Sequence, residues 1–513
     1  MSGVLVLTAS TVIVKIIGLA YKIPLLSVMG AEGMGYFNSA YEIYALLCGI
    51  STSGLPIAVS MLISSARESG EVGKEKGVFR TASLLLLTKG VISAGALALL
   101  ACSVSRFIGN TDAYPAILAI SPALFFSCAS GAVRSYFQGQ RRMTPTAISQ
   151  LIEALCKLLF GVAFACLALA MGQGIPVVAA LAVLGVSLGS FLSALYLALK
   201  FLFEVKKERS HKRSSAPSYF WQLLRISLPI TLGSALMGSS RIIDMALIMR
   251  RLQDIGVSAS EANRIYGAYT TLALPIYGLV PAFIPPITES LIPRLSAAVG
   301  TGHGEEQKSA VASSMRLTLL LGIPSSMGVT IYARQIISLL FGANADAIEY
   351  GAPLLAALGV SVLLTCMTTT VTAILQSYKR VLVPIIALAA GAAVKVVSAY
   401  ILIGDPDIRE MGAPISTLLF NVTVLAIDLA FVYRVVPRAS GVLRAFPRCL
   451  AASVVAMIVS YAVFLFATSR IGLSVIVFCA AFATAVITYF ALVFAFGVIG
   501  VDDVSIITGK SKV

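Results

Sequence analysis

The chain has 513 residues, of which 58% are apolar and 12% charged, and its mean hydropathy is +0.93. This composition excludes a soluble globular protein and predicts a membrane protein. The net charge of +15 does not indicate nucleic-acid binding, because the basic residues lie in short connections between apolar segments. The eight cysteines form no CxxC pair and both histidines lie in polar loops, so we expect neither a disulfide framework nor a metal site.

Fourteen apolar segments follow one another, each near or above the ~20 residues that cross a bilayer core. The predicted spans are 4–28, 36–64, 82–104, 115–138, 147–171, 176–203, 221–249, 266–293, 313–340, 348–377, 382–403, 412–435, 445–467 and 472–498. The predicted fold class is therefore an all-α integral membrane protein. Pro and Gly interrupt the second span at 51–56 and the eighth at 281–286, and broken backbone is tolerated only against protein or water. We expect both spans to border a cavity, with an ordinary proline kink as the alternative.

The first span carries two lysines on one helical face. Lys15 lies near its midpoint and Lys22 two turns further along. Because a lysine at mid-membrane costs at least a few kcal/mol, this face should line a cavity and not lipid. We interpret it as a wall of a cavity for an anionic cargo. The alternative is that Lys15 pairs with a carboxylate and Lys22 extends to the interface.

The distribution of basic residues predicts the orientation in the membrane. With a cytoplasmic amino terminus, the inner loops hold 23 basic residues and the outer loops seven. This bias predicts that both termini are cytoplasmic and that the number of spans is even. The loop 250–265 weakens the pattern, since it places three arginines on the predicted outer side.

The sequence repeats at an offset of 238 residues. FQGQRRMTP is followed by Lys157, and LQSYKRVLVP is followed by Lys395; a looser correspondence joins Lys15 to Arg241. Six spans separate the matched helices, so both halves cross in the same sense, which predicts two six-helix lobes related by a parallel repeat, with the site between them. The predicted domains are the amino-terminal lobe 1–203, a basic cytoplasmic linker 204–220, the carboxyl-terminal lobe 221–437, and helices 13 and 14 with a cytoplasmic tail, 438–513.

Charges within the predicted spans carry the remaining chemistry. The candidate substrate-binding cations are Lys15, Lys22 and Arg241, and the candidate coupling or cavity acids are Glu42 and Asp244. Either a structural or a cavity role is open for Glu153, Lys157 and Lys395. The spacings predict the local ion pairs Glu153–Lys157 and Arg241–Asp244.

Other intramembrane cations lie close to the predicted cytoplasmic ends of their spans. We expect Lys89, Arg134 and Arg225 to extend to the interface. Positive charge remains in excess after pairing, which favours a phosphate-bearing cargo over an organic cation. The planar fork of Arg241 would suit a phosphate, with Lys15 acting as a point charge.

Two stretches carry a family resemblance across the whole chain. SYFQGQRRMTPTAISQLIEALCK, GYFNSAYEIYALLCGISTSGLPIAVS and the fourteen-span layout resemble the stage V sporulation protein B-like polysaccharide transporters. These belong to the superfamily of multidrug and toxin extrusion exporters and lipid II flippases. The resemblance implies alternating access and movement of an undecaprenyl-pyrophosphate-linked oligosaccharide or peptidoglycan precursor across the bacterial cytoplasmic membrane.

The same resemblance bears on the site and the partners. In the related lipid II flippases, cations of the first, second and eighth helices line the cavity. Here Lys15 and Lys22 match the first-helix positions in kind, whereas the second span offers Glu42 and the eighth has no basic residue before Arg294. The expected partners are the lipid-linked saccharide and membrane lipids, without nucleic acid, and the protein is expected to be a monomer. We expect no catalytic residue and no cofactor; coupling to Na⁺ or H⁺ is left open.

Two other classes stay open on sequence grounds. A cation-coupled multidrug exporter of the same superfamily would usually have twelve spans and an acidic cavity, which the surplus of cations disfavours. A membrane enzyme acting on lipid-linked sugars would need carboxylates on a sizeable outer loop, but 250–265 offers Asp254 and Glu261 alone. The sequence also has no P-loop, GxSxG or HExxH motif, so the enzyme reading is the weaker alternative.

Overall fold

A computed structural model describes most of the chain as α-helices. The described residues are 2–69, 72–207, 219–285, 304–342, 347–378, 380, 382–435, 441–472 and 474–498, and no β-strand occurs among them. Most of the predicted linker, Arg294 and the carboxyl-terminal tail lie outside these ranges. The predicted all-α class is confirmed.

Contacts divide the chain into two compact units, Met1–Gly267 and Ala268–Val513. The helices of the first unit are α1 (Ser2–Thr52), α2 (Gly54–Glu68), α3 (Val72–Phe107), α4 (Tyr114–Gly139), α5 (Thr144–Ala170), α6 (Ile175–Lys207) and α7 (Phe220–Asp254), and α8 (Ala259–Ala268) closes it. The predicted lobe boundary at 204–220 stays a prediction, because 208–218 are not among the described residues.

The second unit begins with short, broken helical segments. A π-helix (Tyr269–Ala273), α9 (Leu274–Tyr277) and a 3₁₀ turn (Pro281–Phe283) precede the longer helices. These are α10 (Gly304–Ile331), α11 (Ala333–Phe341), α12 (Ala352–Ser377), α13 (Leu382–Ile403), α14 (Gly412–Val435), α15 (Gly441–Ile471) and α16 (Val475–Ala495), with a π-helix at Ala347–Gly351 and a 3₁₀ turn at Arg409–Met411.

The helix bounds repeat at the predicted offset of 238 residues. The offset carries Tyr114–Gly139 onto Ala352–Ser377 and carries the starts of α5 and α6 to within one residue of the starts of α13 and α14. Within the described part of the chain, ten helical stretches are long and apolar enough to cross a membrane. The number of fourteen spans stays a prediction.

Breaks in the backbone occur where Gly and Pro predict them. The break between α1 and α2 lies at Ser53, and a Cβ added to Gly54 would collide with the carbonyl oxygen of Ser227 in α7. The predicted break therefore lies where two helices approach closely. Lys89 of α3 donates a hydrogen bond to the carbonyl of Ile50 (3.0 Å), just before this break. Its amine therefore satisfies a backbone carbonyl at the helix end and does not extend to the interface as predicted.

Candidate functional site

The chain reverses direction inside α1, which brings the charged residues before and after the turn close together. Gly30 has φ 67°, a left-handed conformation that glycine adopts without strain. In a straight helix Tyr21 and Phe37 would lie about 24 Å apart along the axis. Their ring centroids are instead 5.8 Å apart, so the chain turns back at Gly30. The turn places Lys22 in range of Glu42, whose charge acts on the lysine amine.

Glu42 is the acid at the centre of this arrangement. Its Oε2 lies 3.5 Å from Nη1 of Arg241 in α7. The Glu42 side chain is 22% exposed and that of Arg241 67%, so most of the guanidinium surface stays open. Arg241 therefore pairs across helices with Glu42, and its local pairing with Asp244 stays a prediction. A single long contact leaves further N–H groups of the planar fork available to a ligand.

Lys157 of α5 belongs to the same arrangement, and its amine lies against two aromatic rings. Its Nζ is 4.2 Å from the centroid of the Tyr41 ring and 5.2 Å from that of Tyr21. The Tyr21 hydroxyl donates to the carbonyl of Ala182 (3.3 Å), which fixes that ring. Ring faces attract a cation without neutralising it. The charge of Lys157 also acts on Lys22.

A second, neutral network lies between α4, α5 and α6. Arg134 donates to Glu153 (2.9 Å), to Ser149 (2.9 Å) and to Ser193 (2.8 Å), and Ser190 also donates to Glu153 (3.3 Å). Two predictions are corrected here. Arg134 lies inside the unit, 19% exposed, and does not extend to the interface. Glu153 pairs with Arg134 and not with Lys157, because Arg134 reaches it across helices with a charge-assisted bond.

The charged residues of the first unit fall into two groups. In the group of Lys22, Glu42, Lys157 and Arg241, Glu42 lies 3.5 Å from Arg241, and the charges of Glu42 and Lys157 both act on Lys22. In the other group, Arg134 and Glu153 form a direct ion pair. Charged side chains among membrane-spanning helices are costly, so the group with Lys22 and Arg241 is a candidate binding site. The planar fork of Arg241 is suited to an anion with several oxygens.

Several predicted residues take other positions in the structure. Lys15 lies in α1, but its side chain is outside what the structure describes. Asp244 follows Arg241 by one turn of α7 and is partly buried, and Lys395 belongs to α13 in the second unit. The cavity roles of these residues stay predictions. Among the described residues no group of three or more His, Cys, Asp or Glu could hold a metal ion.

Sequence reasoning missed the aromatic part of the cluster. Tyr21 and Tyr41 directly adjoin Lys22 and Glu42 in the sequence, which was an available signal. Their common contact with Lys157, however, depends on the reversal at Gly30 and on the closeness of α5. A Cβ on Gly161 of α5 would collide with the Tyr21 hydroxyl, so this glycine makes the approach possible.

Long apolar helices, a repeated helix order and charged side chains among those helices are typical of a multi-pass membrane transporter. The chain belongs to the polysaccharide biosynthesis protein family, whose model matches residues 1–299. A second family model, MatE, matches residues 229–401. The resemblance drawn from the sequence is thereby confirmed.

Two Bacillus subtilis (strain 168) proteins are similar over most of their length. Stage V sporulation protein B is 26% identical over 455 residues, covering 85% of this chain and 84% of that protein. Lipid II flippase MurJ is 24% identical over 413 residues, covering 77% of this chain and 76% of the relative.

Solved structures agree on the fold. A lipid II flippase MurJ in an inward closed conformation matches with a TM-score of 0.68 and 15% identity, covering 96% of this chain and 98% of the other. An inward-facing multidrug resistance MATE family transporter matches with a TM-score of 0.64 and 16% identity, covering 82% of this chain and 94% of the other. The chain thus has the fold of these transporters.

Proposed function

We propose that the protein is a flippase that moves an undecaprenyl-pyrophosphate-linked oligosaccharide or peptidoglycan precursor across the bacterial cytoplasmic membrane. The observation that carries the proposal is the cluster of Lys22, Glu42, Lys157 and Arg241, in which the Arg241 side chain is 67% exposed beside Glu42. Three of its four members are basic, and the open guanidinium suits a pyrophosphate, whose oxygens can accept from several donors at once. The polysaccharide biosynthesis family and the similarity to a lipid II flippase support the same substrate class.

Movement by alternating access needs no covalent chemistry, so we propose no enzymatic step and no cofactor. The charged headgroup binds among the helices while the polyprenyl tail stays in lipid. The carboxyl-terminal pair α15 and α16, outside the repeat, offers a surface for that tail, since Ile476, Phe482 and Ile487 are all more than 60% exposed. Such apolar side chains suit contact with acyl or polyprenyl chains.

The proposal includes a topology and a partner set. Both termini are cytoplasmic, as the bias of basic residues towards the inner loops favours. The protein acts as a monomer on its lipid-linked substrate within membrane lipids, without nucleic acid. Na⁺, H⁺ or the membrane potential would supply the driving force.

A cation-coupled multidrug exporter is the second candidate. The match of the MatE model to residues 229–401 and the likeness to a MATE transporter structure favour it. An exporter of organic cations would need a cavity with excess acid, whereas the cluster in the first unit has excess base. We therefore rank the flippase first.

Depletion of the protein in cells that depend on it tests the proposal. Lipid-linked precursor is then measured separately in the two leaflets. A flippase predicts that precursor accumulates in the inner leaflet while its synthesis continues. An unchanged leaflet distribution, together with new sensitivity to cationic dyes, would establish the exporter instead.

A further inference from the structure

The second unit holds a buried carboxyl group of a different kind. Asp428 of α14 is 0% exposed. Its Oδ2 accepts a hydrogen bond from the Thr372 hydroxyl of α12 (3.2 Å), and its Oδ1 is buried without a hydrogen-bond partner among the residues that the structure describes. Within the described part of the chain it forms no ion pair with any Lys, Arg or His. In the described structure, the Thr372 hydroxyl is thus the one side-chain hydrogen-bond donor to this carboxyl group.

The surroundings of Asp428 are apolar. Leu425 and Val432 lie three residues before and four after it, on the same face of α14, and pack with Val371 and Leu375 of α12 in one buried cluster. The charged or titratable side chains on α14 and on the elements packed against it are Arg434 and Tyr433 of α14, Cys366 and Tyr378 of α12, Lys395 and Tyr400 of α13, Arg409 and Glu410 of the 3₁₀ turn, and Glu305, Lys308 and Arg316 of α10. In the described structure none of them reaches Asp428 to compensate a negative charge.

The protonated acid is the form that fits this place. An ionised carboxylate would combine the loss of its hydration with the absence of a counter-charge, the costliest state for such a group. A neutral carboxylic acid leaves a single polar atom unsatisfied, which is a far smaller penalty. A bound Na⁺ would need several further oxygen ligands, whereas Thr372 is the one side chain that bonds to this carboxyl group in the described structure.

We propose that Asp428 is a proton-binding site of the second unit. The proton is held while α12 and α14 are packed as observed, because water has no access to the carboxyl group. Separation of the two helices would hydrate Asp428, allow its O–H bond to break and transfer the proton to water. The site would therefore link proton release to a rearrangement inside this unit. The inference stands on the buried carboxyl group alone and does not depend on the substrate proposed above.

Infrared spectroscopy of the purified full-length protein at neutral pH tests the site without a transport assay. We expect a C=O stretching band of a neutral carboxylic acid that disappears in Asp428→Asn. The band should remain in Asp407→Asn, a matched control at an exposed loop position. An unchanged band in a folded Asp428→Asn protein, or no such band in the wild type, would overturn the proposal.

Two further measurements keep the test decisive if Asp428→Asn fails to fold. Labelling of all aspartates with ¹³C in the unmodified protein should shift the band to lower frequency. Thr372→Val should move it to higher frequency, because the hydrogen bond that weakens the C=O bond is lost. A band insensitive to both changes would belong to another group and would contradict a proton on Asp428.

Discussion

Helices α4–α6 of the first unit and α12–α14 of the second are built on the same plan, yet they treat buried charge in opposite ways. At the offset of 238 residues, Arg134 corresponds to Thr372, Glu153 to Gly391 and Ser190 to Asp428. In the first unit the acid meets an arginine that also bonds to two serines. In the second unit the acid lies on a different helix and bonds to a threonine.

The comparison shows that packing determines the helix bounds of both halves, whereas the buried charged side chains differ between them. A Cβ on Gly391 would collide with Val424, so the close approach of α13 and α14 disfavours any larger residue, including an acid, at that position unless the Val424 side chain shifts. The helix bounds are nevertheless repeated, because apolar periodicity and turn positions set them. The frame is thus common to both halves, whereas the charged side chains are specific to each.

A parallel repeat requires that equivalent loops lie on the same side of the membrane, and labelling gives an all-or-none test. Single cysteines replace Arg142 and Arg380 in one pair of loops and Gln173 and Asp407 in the other, all at exposed positions. We expect impermeant thiol reagents to label the second pair in intact cells, because the basic first pair lies inside. The wild-type chain serves as the background control. Labelling of one member of a pair without the other would break the comparison.

Removing Arg134 should destabilise the first unit more than any other single change proposed here. Arg134→Met leaves Glu153 without its cation, at a cost of about 2–3 kcal/mol in the free energy of unfolding. Folded yield and thermal stability in detergent measure the loss.

The double variant Arg134→Met/Glu153→Gln should recover much of that stability, since it brings the first unit closer to the uncharged arrangement of the second. Arg142→Gln, which breaks the exposed pair with Glu204, should cost less than about 1 kcal/mol. A double variant as unstable as Arg134→Met would show that the charge pair is not the reason for the loss.

Ligand affinity should depend on the cations of the first unit. Arg241→Gln removes the open guanidinium and should weaken binding of a lipid-linked pyrophosphate about tenfold, or about 1.4 kcal/mol. Binding to the purified protein in detergent at fixed ionic strength measures it. Arg251→Gln is the matched control on the same helix, because Arg251 pairs with Asp254. Equal affinities of these two variants would remove Arg241 from the site.

The smallest expected effect concerns the ring beside Lys157. Tyr41→Leu removes the closer cation–π contact and should cost about 0.5–1 kcal/mol in stability or binding, while Tyr41→Phe should retain most of it. Thermal stability and pyrophosphate-lipid affinity of both variants measure the effect. If Tyr41→Phe lost as much as Tyr41→Leu, the hydroxyl and not the ring face would be responsible.

The sequence allowed prediction of the all-α membrane class, the repeat and the broken backbone near Ser53, because apolar length and Gly or Pro positions act locally. It also indicated Lys22, Glu42, Lys157 and Arg241 as candidate functional charges. Their partners could not be predicted from spacing. Arg134 reaches Glu153 from another helix, and Tyr41 reaches Lys157 because the chain reverses at Gly30, so both contacts depend on tertiary packing.

Reconstitution in proteoliposomes tests the central claim that the basic cluster recognises a pyrophosphate-linked saccharide. Flipping is compared for the pyrophosphate-linked lipid and for a lipid with the same sugar but no phosphate, using wild type and Lys22→Gln/Arg241→Gln. We predict that the wild type flips the pyrophosphate-linked lipid alone and that the folded double variant flips neither. Equal movement of both lipids, or undiminished flipping by the double variant, would contradict the claim.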